Sequence, residues 1–580
     1  MIYKKLLVFL LILAIVPHLA LAYHPDPTEL TITNPETVKT MRAKITQTGG
    51  VEVTGTISNL NLNISIPVEN EFQTIESISI NYDYEIIYDA YGNQYIELNF
   101  PKVSEDIDYE LEIILSTKRR IGGTPKTDTD FLEPTEHAES DDESIIEFSS
   151  QFKGDDFEKI ASLTKWIHEN INYNRNFYEV DDTAVQTLNS REGVCDEITN
   201  LLLASSRALG YKSAAVLGWT VGEFKTEPHS WAEIYTDNEL IYNDPTWAEV
   251  GFLDAAHIKY AVRPDTAFPL VGVRGTSASG DLSLKTTNTV IEVLEFEQEP
   301  LLETSSEMLD TKLWEEQYAV VKSDIEYDGC LLTKFRSQSC AVDGEEFLIA
   351  EQPENVVYFC DETSVFSIFK VPSGLDSSIV YTCPLTIYSY VTGREDIDVE
   401  LRSSERGGTV NLQIDKDILG PSEQFTASSL GSHIFTDYGG YGFGELISES
   451  PETNFRLYGY NAGTLVQQEI AVSSEKEFDI TVSLPESAKL GEETKITVIV
   501  RNLKNESANV VVELNGQSDR GLITPDNIAE FTYTIVPKTD KVQIVVKSDT
   551  FTIGITKTLS IQSDSIIDSI LDFFRSIFGD

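Results

Sequence analysis

Helical periodicity is confined to one part of this chain of 580 residues, and much of the remainder alternates apolar with polar side chains. Residues 51–54 and 78–82 show the alternation of half-buried strands, and similar patterns recur from about residue 476 to 560. Between about residues 140 and 210, the apolar positions follow the helical period instead. Because one hydrophobic core does not serve a chain of this length, the sequence predicts a multidomain protein. In this predicted arrangement, an α+β core is flanked by all-β domains of the immunoglobulin-like sandwich type.

Three amphipathic helices are predicted in the helical part. A capping box at residues 140–143 opens the first helix, and Asp155 opens the second. The third helix begins at Cys195 or one residue earlier, and Gly210 is suited to its C-terminal cap. Strand patterns follow at residues 214–219, 230–235 and 239–243. Together these elements predict an α+β unit that ends near residue 285.

Three reactive side chains lie at the edges of these predicted elements: Cys195 at a helix start, His229 at a strand start and Asp244 at a strand end. A helix N-terminus favours a thiolate, because unpaired N–H groups and the positive end of the macrodipole lie beside it. A histidine can take the thiol proton, and a carboxylate can orient the imidazole. The Cys195 backbone N–H can stabilise an oxyanion. The order thiol, imidazole, carboxylate therefore predicts a catalytic triad for acyl transfer.

Each of the three residues also has a purely structural explanation. A lone cysteine is commonly a small core residue. A histidine that begins a strand is commonly a surface or core residue, and Asp-Pro-Thr is commonly a turn. Only their joint order and placement favour the catalytic interpretation.

The motifs around these residues resemble the signature of the transglutaminase-like superfamily, in its microbial, exported branch. The resemblance covers residues 140–260 and rests on Gly193-x-Cys195, Gly218-Trp219, His229-Ser230-Trp231-Ala232-Glu233 and Asp244-Pro245-Thr246. It implies a papain-like core in which Cys195 is the nucleophile. The resemblance also implies that His229 is the general base and acid, and that Asp244 is the orienting carboxylate.

The sequence departs from the family pattern near the substrate pocket. Tyr242-Asn243 stands where the family commonly has a tryptophan, and Ile198-Thr199 stands where an aromatic–alanine pair is frequent. Trp219 and Trp231 are the candidate substrate-binding residues, although core packing is the favoured explanation for each of them.

The resemblance implies an exported thiol enzyme that forms a thioester on Cys195 from a peptide or a glutamine amide. Attack by water would make it a cysteine protease or amidase, and attack by a lysine amine would make it a cross-linking acyltransferase. Hydrolysis is slightly favoured, because the sequence shows no dedicated amine channel. The alternative is a non-catalytic surface adhesion or envelope-binding protein that uses the same fold as a scaffold, which the long flanking β domains favour.

The charge of the chain restricts its partners. It has 95 acidic and 43 basic residues, which gives a formal net charge of −52. A surface of this sign repels nucleic acid phosphates, so we expect no nucleic acid partner. The peptide or protein substrate is what the resemblance implies. Acidic residues can hold Ca²⁺, but the sequence shows no loop with the spacing of Ca²⁺ ligands. We therefore expect neither a metal nor another cofactor.

Residues 1–22 have the features of a secretory signal peptide. Lys4 and Lys5 precede an apolar run over residues 6–16, and Ala20-Leu21-Ala22 is suited to cleavage. An uncleaved N-terminal anchor is the alternative. The predicted location is therefore extracellular or at the cell surface.

The chain has five cysteines, and four of them lie close together in the sequence. These four, Cys330, Cys340, Cys360 and Cys383, are expected to form two disulfides in an oxidising compartment. Three connectivities are open, and local pairing, 330 with 340 and 360 with 383, is weakly favoured. Cys195 is left with a free thiol.

The predicted organisation contains six segments after the signal peptide. They are an N-terminal β-sandwich at 23–120, the transglutaminase-like α+β catalytic domain at 121–285, a β domain with the two disulfides at 286–395, a β domain at 396–472, an immunoglobulin-like sandwich at 473–562 and an amphipathic C-terminal helix at 563–580. The apolar face of that helix suits contact with the cell envelope or a membrane surface, or packing on the neighbouring domain.

Overall fold

The computed structural model describes Ile32 and residues 37–559, with gaps at 124–128, 178–181, 223–225, 268–270, 278–279, 343–344, 377, 390, 403–406, 417, 452–453, 473–477, 486–487, 540 and 549–551. The predicted signal peptide at 1–22 and the predicted C-terminal helix at 563–580 lie outside the described residues. Within the described part of the chain, no helix is long and apolar enough to span a bilayer.

The helices lie in the part of the chain where the sequence predicts them. They are α1 (Glu143–Ser149), α2 (Asp156–Asn170), α3 (Ala184–Ser190) and α4 (Cys195–Ala208). The predicted cap of α2 is confirmed, because the Asp155 side chain accepts a hydrogen bond of 2.8 Å from the Glu158 backbone N–H. Helix α1 begins later than predicted, since Asp142 rather than Ser140 caps it.

Helix α4 matches its prediction at both ends, whereas α3 is not predicted. After α4, Gly210 has a φ of 97°, a left-handed conformation that glycine adopts without strain. Helix α3 has seven residues, too few to show a helical period, although Thr183 and Gln186 form a capping box at its start.

Strands make up most of the rest of the described chain. Before α1 they are β1 (Val38–Thr54), β2 (Ile57–Ile66), β3 (Gln73–Ile80), β4 (Glu85–Tyr88), β5 (Gln94–Val103), β6 (Ile107–Lys118) and β7 (Arg120–Ile121). The next are β8 (Asn172–Tyr173), β9 (Glu192–Gly193), β10 (Lys212–Val221), β11 (Thr226–Tyr235), β12 (Leu240–Asp244), β13 (Glu249–Val250), β14 (Phe252–Leu253), β15 (His257–Arg263), β16 (Val271–Thr276), β17 (Asp281–Leu284) and β18 (Asn288–Gln298).

The remaining strands form the long β-rich part of the chain. The first group is β19 (Glu303–Met308), β20 (Lys312–Trp314), β21 (Tyr318–Ser339), β22 (Ala341–Val342), β23 (Glu345–Glu346), β24 (Ile349–Ala350), β25 (Glu354–Lys370), β26 (Tyr381–Ser389) and β27 (Gly393–Arg402). The second is β28 (Gln413–Ile414), β29 (Ile418–Leu419), β30 (Gln424–Thr436), β31 (Tyr441–Glu449), β32 (Phe455–Asn461) and β33 (Thr464–Val472). The last is β34 (Phe478–Ser483), β35 (Thr494–Asn502), β36 (Ala508–Leu514), β37 (Gln517–Ile523), β38 (Ile528–Ile535), β39 (Lys541–Lys547) and β40 (Thr552–Thr558).

The chain divides into two compact units, and the first is a β-sandwich. It contains the described residues up to Arg120, together with Ala215–Ser230 and Leu253–Glu299. One sheet has the order β17–β1–β6–β3 with β18 also paired to β1, and the other has the order β16–β2–β5–β4. Apolar residues on the facing sides, such as Ile45 and Leu62, share one buried core.

This sandwich extends beyond its predicted limit at residue 120. Strand β18 pairs antiparallel with β1, with Ile291 opposite Ile45, and β16 pairs antiparallel with β2. The sequence pattern instead predicts that the catalytic domain ends at residue 285 and that a new β domain begins at 286. The difference arises because alternation identifies a strand but does not identify its partner.

The second unit contains Ile121–Ala214, Trp231–Phe252 and the described chain from Pro300 onward. Its α-helical part is joined to the following β region, because β12 pairs with β13 and β13 pairs with β21. The 22-residue strand β21 forms a long antiparallel pair with β25, and α2 packs on both strands.

The end of the described chain forms the second predicted sandwich. Strands β34–β35–β38 make one sheet and β37–β36–β39–β40 the other. The alternating apolar residues of both sheets, among them Ile496, Val512 and Phe531, lie in one buried core. This arrangement is that of an immunoglobulin-like sandwich.

Two disulfides are present, and the weakly favoured local pairing is wrong. Cys330 bonds to Cys360, and Cys340 bonds to Cys383. Cys330 and Cys360 face each other directly in the antiparallel register of β21 and β25. The bonds therefore follow strand pairing rather than closeness in the sequence. Such disulfides are typical of proteins in an oxidising compartment.

Replacing Cys340 and Cys383 together by Ala will lower the free energy of unfolding of this β region by about 2–4 kcal/mol. The bond joins residues with a sequence separation of 43, so it restricts the unfolded chain. The midpoint of urea unfolding measures the loss. Cys195→Ala is the control, because it removes a cysteine without removing a disulfide. An unchanged midpoint in the double variant would contradict the prediction.

Glu354 links helix α2 to the pair of strands β21 and β25. Its Oε1 lies 3.2 Å from His168 Nε2, and its Oε2 accepts a hydrogen bond of 2.8 Å from Arg336 Nε. The hydrogen bond with His168 is the main reason that the pKa of Glu354 is lowered to about 2, and burial opposes this shift. The charges of Lys334 and Arg336 lower the pKa further.

Glu354→Gln will therefore lower stability by about 1 kcal/mol above pH 5, and the difference will shrink toward pH 2. A carboxylate whose pKa is lowered on folding adds stability that is present above its unfolded pKa of roughly 4.3 and is lost on further acidification. We expect a small effect because the side chain is 34% exposed, so solvent screens the ion pairs. Thermal unfolding of the wild type and Glu354→Gln across this pH range measures the difference in stability, with Glu362→Gln on the same strand as the control. A difference that does not change with pH would contradict the prediction.

Candidate active site

Cys195 is the first residue of α4, at the position that the sequence predicts. Its side chain is buried, with 6% exposure, and its thiol is not in a disulfide. The Sγ atom lies 3.8 Å from Asp196 Oδ1. As the first helical residue, Cys195 lies where backbone N–H groups lack intrahelical partners and the macrodipole is positive. The same N–H groups can donate hydrogen bonds to an oxyanion that forms beside the sulfur.

The turn before Cys195 explains the Gly-x-Cys motif. Val194 is the N-cap of α4, and its N–H donates a hydrogen bond of 2.9 Å to Glu197 Oε2. A Cβ on residue 193 would lie 2.8 Å from the Glu197 Cβ, so only glycine allows this close approach. Burial raises the pKa of the Glu197 carboxyl, while the Val194 hydrogen bond opposes that rise. The glycine at 193 therefore leaves room for the Glu197 side chain, whose hydrogen bond with the Val194 N–H caps the helix at Cys195.

Asp244 is the last residue of β12 and is fully buried. Its Oδ1 accepts hydrogen bonds from the backbone N–H groups of Thr246 at 2.9 Å and Trp247 at 3.2 Å. These bonds fix the orientation of the carboxylate at the start of the turn. The preceding Asn243 donates to Thr164 Oγ1 of α2 at 2.7 Å, which holds the end of β12 against that helix.

His229 lies within β11, which begins earlier than predicted, and its side chain is 6% exposed. It belongs to the first unit, in which its ring centroid lies 6.0 Å from that of His257. His257 Nδ1 lies 3.1 Å from Asp254 Oδ1, and both residues are fully buried. The sequence does not reveal this His257–Asp254 pair as part of the site, because only the fold brings β15 close to His229.

The structure thus places the three predicted residues at a helix start, within a strand and at a strand end. Cys195 and Asp244 belong to the second unit, and His229 belongs to the first. Their joint action is a part of the proposed function below. The expectation that no metal and no cofactor takes part also stays a prediction, and we assign no metal ligands.

The two candidate substrate-binding tryptophans differ in exposure. Trp231 is fully buried, whereas Trp219 is half-buried and packs against the core of the first unit. Both placements agree with core packing, which is the explanation favoured from the sequence for each. Contact with a substrate stays a prediction for Trp219 and Trp231.

A cavity of about 350 Å³ lies in the second unit beside segments that carry the candidate catalytic residues. Ile198, one helical turn after Cys195, lines one part of it, and Pro245 directly after Asp244 lines another. The other lining residues are His168, Glu169, Asn170, Ile171, Asn172, Tyr173 and Thr246. The sequence gives no signal for this cavity, because its walls come from separate segments.

Comparison with known proteins gives two family matches. Residues 146–250 match the transglutaminase-like superfamily, and residues 458–514 match the alpha-2-macroglobulin family. No curated protein matches the chain.

Several solved structures are similar to parts of the chain. A candidate cysteine protease from Cytophaga hutchinsonii shows 19% identity and a TM-score of 0.36, over 45% of this chain and 93% of that one. Red sea bream transglutaminase shows 10% identity and a TM-score of 0.16, over 88% and 93%. Escherichia coli alpha-2-macroglobulin shows 9% identity and a TM-score of 0.16, over 60% and 41%.

The family match at residues 146–250 includes helices α2–α4, Cys195, His229 and Asp244. The protein is therefore multidomain, with a domain of the transglutaminase-like superfamily at residues 146–250 and β-rich domains on both sides of it.

Proposed function

We propose that the protein is an exported thiol enzyme that transfers acyl groups through a thioester on Cys195, with peptide or glutamine amides as donors. The observation that carries this proposal is the position of Cys195, at the N-terminus of α4 in a transglutaminase-like domain. The turn-bound carboxylate of Asp244 and the buried ring of His229 supply the other two groups that such a reaction needs.

In the first half of the proposed reaction, His229 takes the thiol proton of Cys195, and the sulfur attacks the carbonyl carbon of the amide. The Cys195 backbone N–H stabilises the resulting oxyanion. When the tetrahedral intermediate collapses, the carbon–nitrogen bond breaks and His229 gives its proton to the leaving amine. Asp244 orients the imidazole and stabilises its positive charge.

In the second half, a nucleophile attacks the thioester, and His229 accepts its proton. The carbon–sulfur bond breaks, and the thiol recovers its proton from His229. Water as the nucleophile gives a carboxylic acid, and a lysine amine gives a new amide bond. We favour hydrolysis slightly, because the sequence shows no dedicated channel for an amine.

The test combines thiol labelling with a peptide library. Cys195 should react with iodoacetamide at neutral pH much faster than a buried structural thiol does. Incubation of the library with and without a primary amine, followed by mass spectrometry, distinguishes hydrolysis from cross-linking. If labelling is slow and no cleavage or cross-linking of the library peptides depends on Cys195, the proposal that the protein is a thiol enzyme is refuted. The non-catalytic adhesion or envelope-binding alternative would then be favoured, since it needs no reactive thiol.

The proposed location is outside the cell or at its surface. The two disulfides support an oxidising compartment, and the signal-peptide pattern at residues 1–22 supports export. Mass spectrometry of the protein from its native source tests this proposal. A mature N-terminus at Tyr23 is expected, whereas an intact Met1 would favour an uncleaved anchor.

A further inference from the structure

A second histidine lies beside the proposed base, inside the first unit. The ring planes of His229 and His257 are inclined by 54°, with 6.0 Å between their centroids. His257 is fully buried, on strand β15. The proposed mechanism uses His229 but gives no role to the ring next to it.

His257 belongs to a buried group of ionisable side chains. Its Nδ1 lies 3.1 Å from Asp254 Oδ1, which also accepts a hydrogen bond of 2.6 Å from the Ala256 backbone N–H. The Arg120 guanidinium donates to the His257 backbone carbonyl at 3.2 Å, and only 2% of Arg120 is exposed. Burying such groups costs free energy that an apolar side chain would avoid. Filling space alone therefore does not explain the arrangement.

The hydrogen bond with Asp254 determines how the His257 ring can act. A carboxylate at Nδ1 holds the ring proton on that nitrogen and leaves Nε2 with a lone pair. The second oxygen of Asp254, Oδ2, is buried without a hydrogen-bond partner among the described residues. The pair thus places a buried carboxylate behind the ring that lies beside His229, in surroundings where charges interact more strongly than they do in water.

We propose that the Asp254–His257 pair holds the ring of His229 in place and stabilises its protonated form. This role rests on the proposed function, because it matters only if His229 takes the proton of Cys195. His257 and Asp254 act through His229, so both are positioning residues rather than catalytic residues. The pair would thereby assist the transfer of the Cys195 proton to His229 in the proposed mechanism.

Three variants of the full chain test the role. The amide of His257→Gln can still donate to Asp254, whereas His257→Leu offers no donor. Asp254→Asn keeps the shape of the side chain but removes its charge. We expect kcat for the best library peptide to fall by roughly 10–100-fold, with KM changed by less than about threefold. The rate of iodoacetamide labelling of Cys195 should also fall in each of these variants. The His257→Leu variant should have a lower kcat and a lower labelling rate than His257→Gln, because leucine offers no hydrogen-bond donor to Asp254.

Tyr260→Phe is the matched control for these variants. Tyr260 lies on the same strand, and its buried hydroxyl has no hydrogen-bond partner among the described residues. The Phe variant should keep the wild-type kcat and labelling rate. Circular dichroism and the thermal midpoint show whether each variant is folded. If His257→Leu is unfolded, the kcat and labelling rate of the near-isosteric Asp254→Asn variant test the positioning role.

The outcomes separate this role from the proposed function. If Cys195→Ala keeps its activity, the proposed function fails. If Cys195→Ala is inactive but folded Asp254→Asn keeps the wild-type kcat and labelling rate, the positioning role fails and the enzyme stands. A rise in KM alone, with kcat unchanged, would also overturn the positioning role.

Discussion

A Cys195→Ala variant will lose turnover of the library peptides by roughly 10³-fold or more, because in the proposed mechanism the thioester forms on the Cys195 sulfur. It will also lose the rapid reaction with iodoacetamide. Stability should change little, since alanine fills most of the space of the buried thiol. Steady-state rates, labelling followed by mass spectrometry, and thermal unfolding measure the three effects.

Ser205→Ala is the matched control for this variant. Ser205 lies on the same helix, its side chain is fully buried, and its hydroxyl has no hydrogen-bond partner among the described residues. The control should keep both the turnover and the labelling of Cys195. Turnover within about tenfold of wild type in Cys195→Ala would mean that the thiol is not the nucleophile.

An Asp244→Asn variant will lose kcat by roughly 10²–10⁴-fold while staying folded. The asparagine Oδ1 can still accept hydrogen bonds from the Thr246 and Trp247 N–H groups, so the turn after β12 should be kept. In the proposed mechanism, the missing negative charge removes the stabilisation of the His229 imidazolium. Stopped-flow or discontinuous assays of kcat and KM measure the loss, and circular dichroism checks the fold.

Asp265→Asn provides the control for the carboxylate. Asp265 also accepts a hydrogen bond from a backbone N–H two residues later, that of Ala267 at 3.2 Å, but Asp265 is only half-buried, whereas Asp244 is fully buried. Its variant should keep full activity. Full activity of folded Asp244→Asn would remove the carboxylate from the proposed triad, and the roles of Cys195 and His229 would then need a different third group.

The helices that the sequence predicts well are those with strong local signals. Helices α2 and α4 combine a recognisable start, a periodic apolar face and, for α4, a glycine after the end. Helix α3 has only seven residues, so its capping box is not accompanied by a readable period. The boundaries of α1 differ because two neighbouring polar residues, Ser140 and Asp142, both suit an N-cap.

Features that depend on strand pairing could not be predicted. The pattern of β18 shows a strand but not that its neighbour is β1, far earlier in the chain. The same limit explains the wrong disulfide assignment, since Cys330 finds Cys360 through the register of β21 and β25. Alternation has the same period in every sheet, so it carries no information about partners.

In the candidate site, too, residues with local sequence signals could be predicted, and residues brought in by tertiary contacts could not. Cys195 and Asp244 lie at the predicted element ends, because a helix start and a turn-forming Asp-Pro pair have local signals. The Asp254–His257 pair has no such signal. Its closeness to His229 depends on β15, which pairs with β10 through His257 and Thr220. A tertiary contact of this kind becomes visible only in the fold.

The discontinuous first unit has a practical consequence for recombinant work. A truncated clone that starts at residue 121 would leave β16, β17 and β18 without the partners that β1 and β2 provide. Their exposed edges would then be free to aggregate. A fragment for crystallisation or assay should therefore begin no later than residue 38 and continue through β25, because β13 pairs with β21 and α2 packs on both β21 and β25. The family match alone covers only residues 146–250.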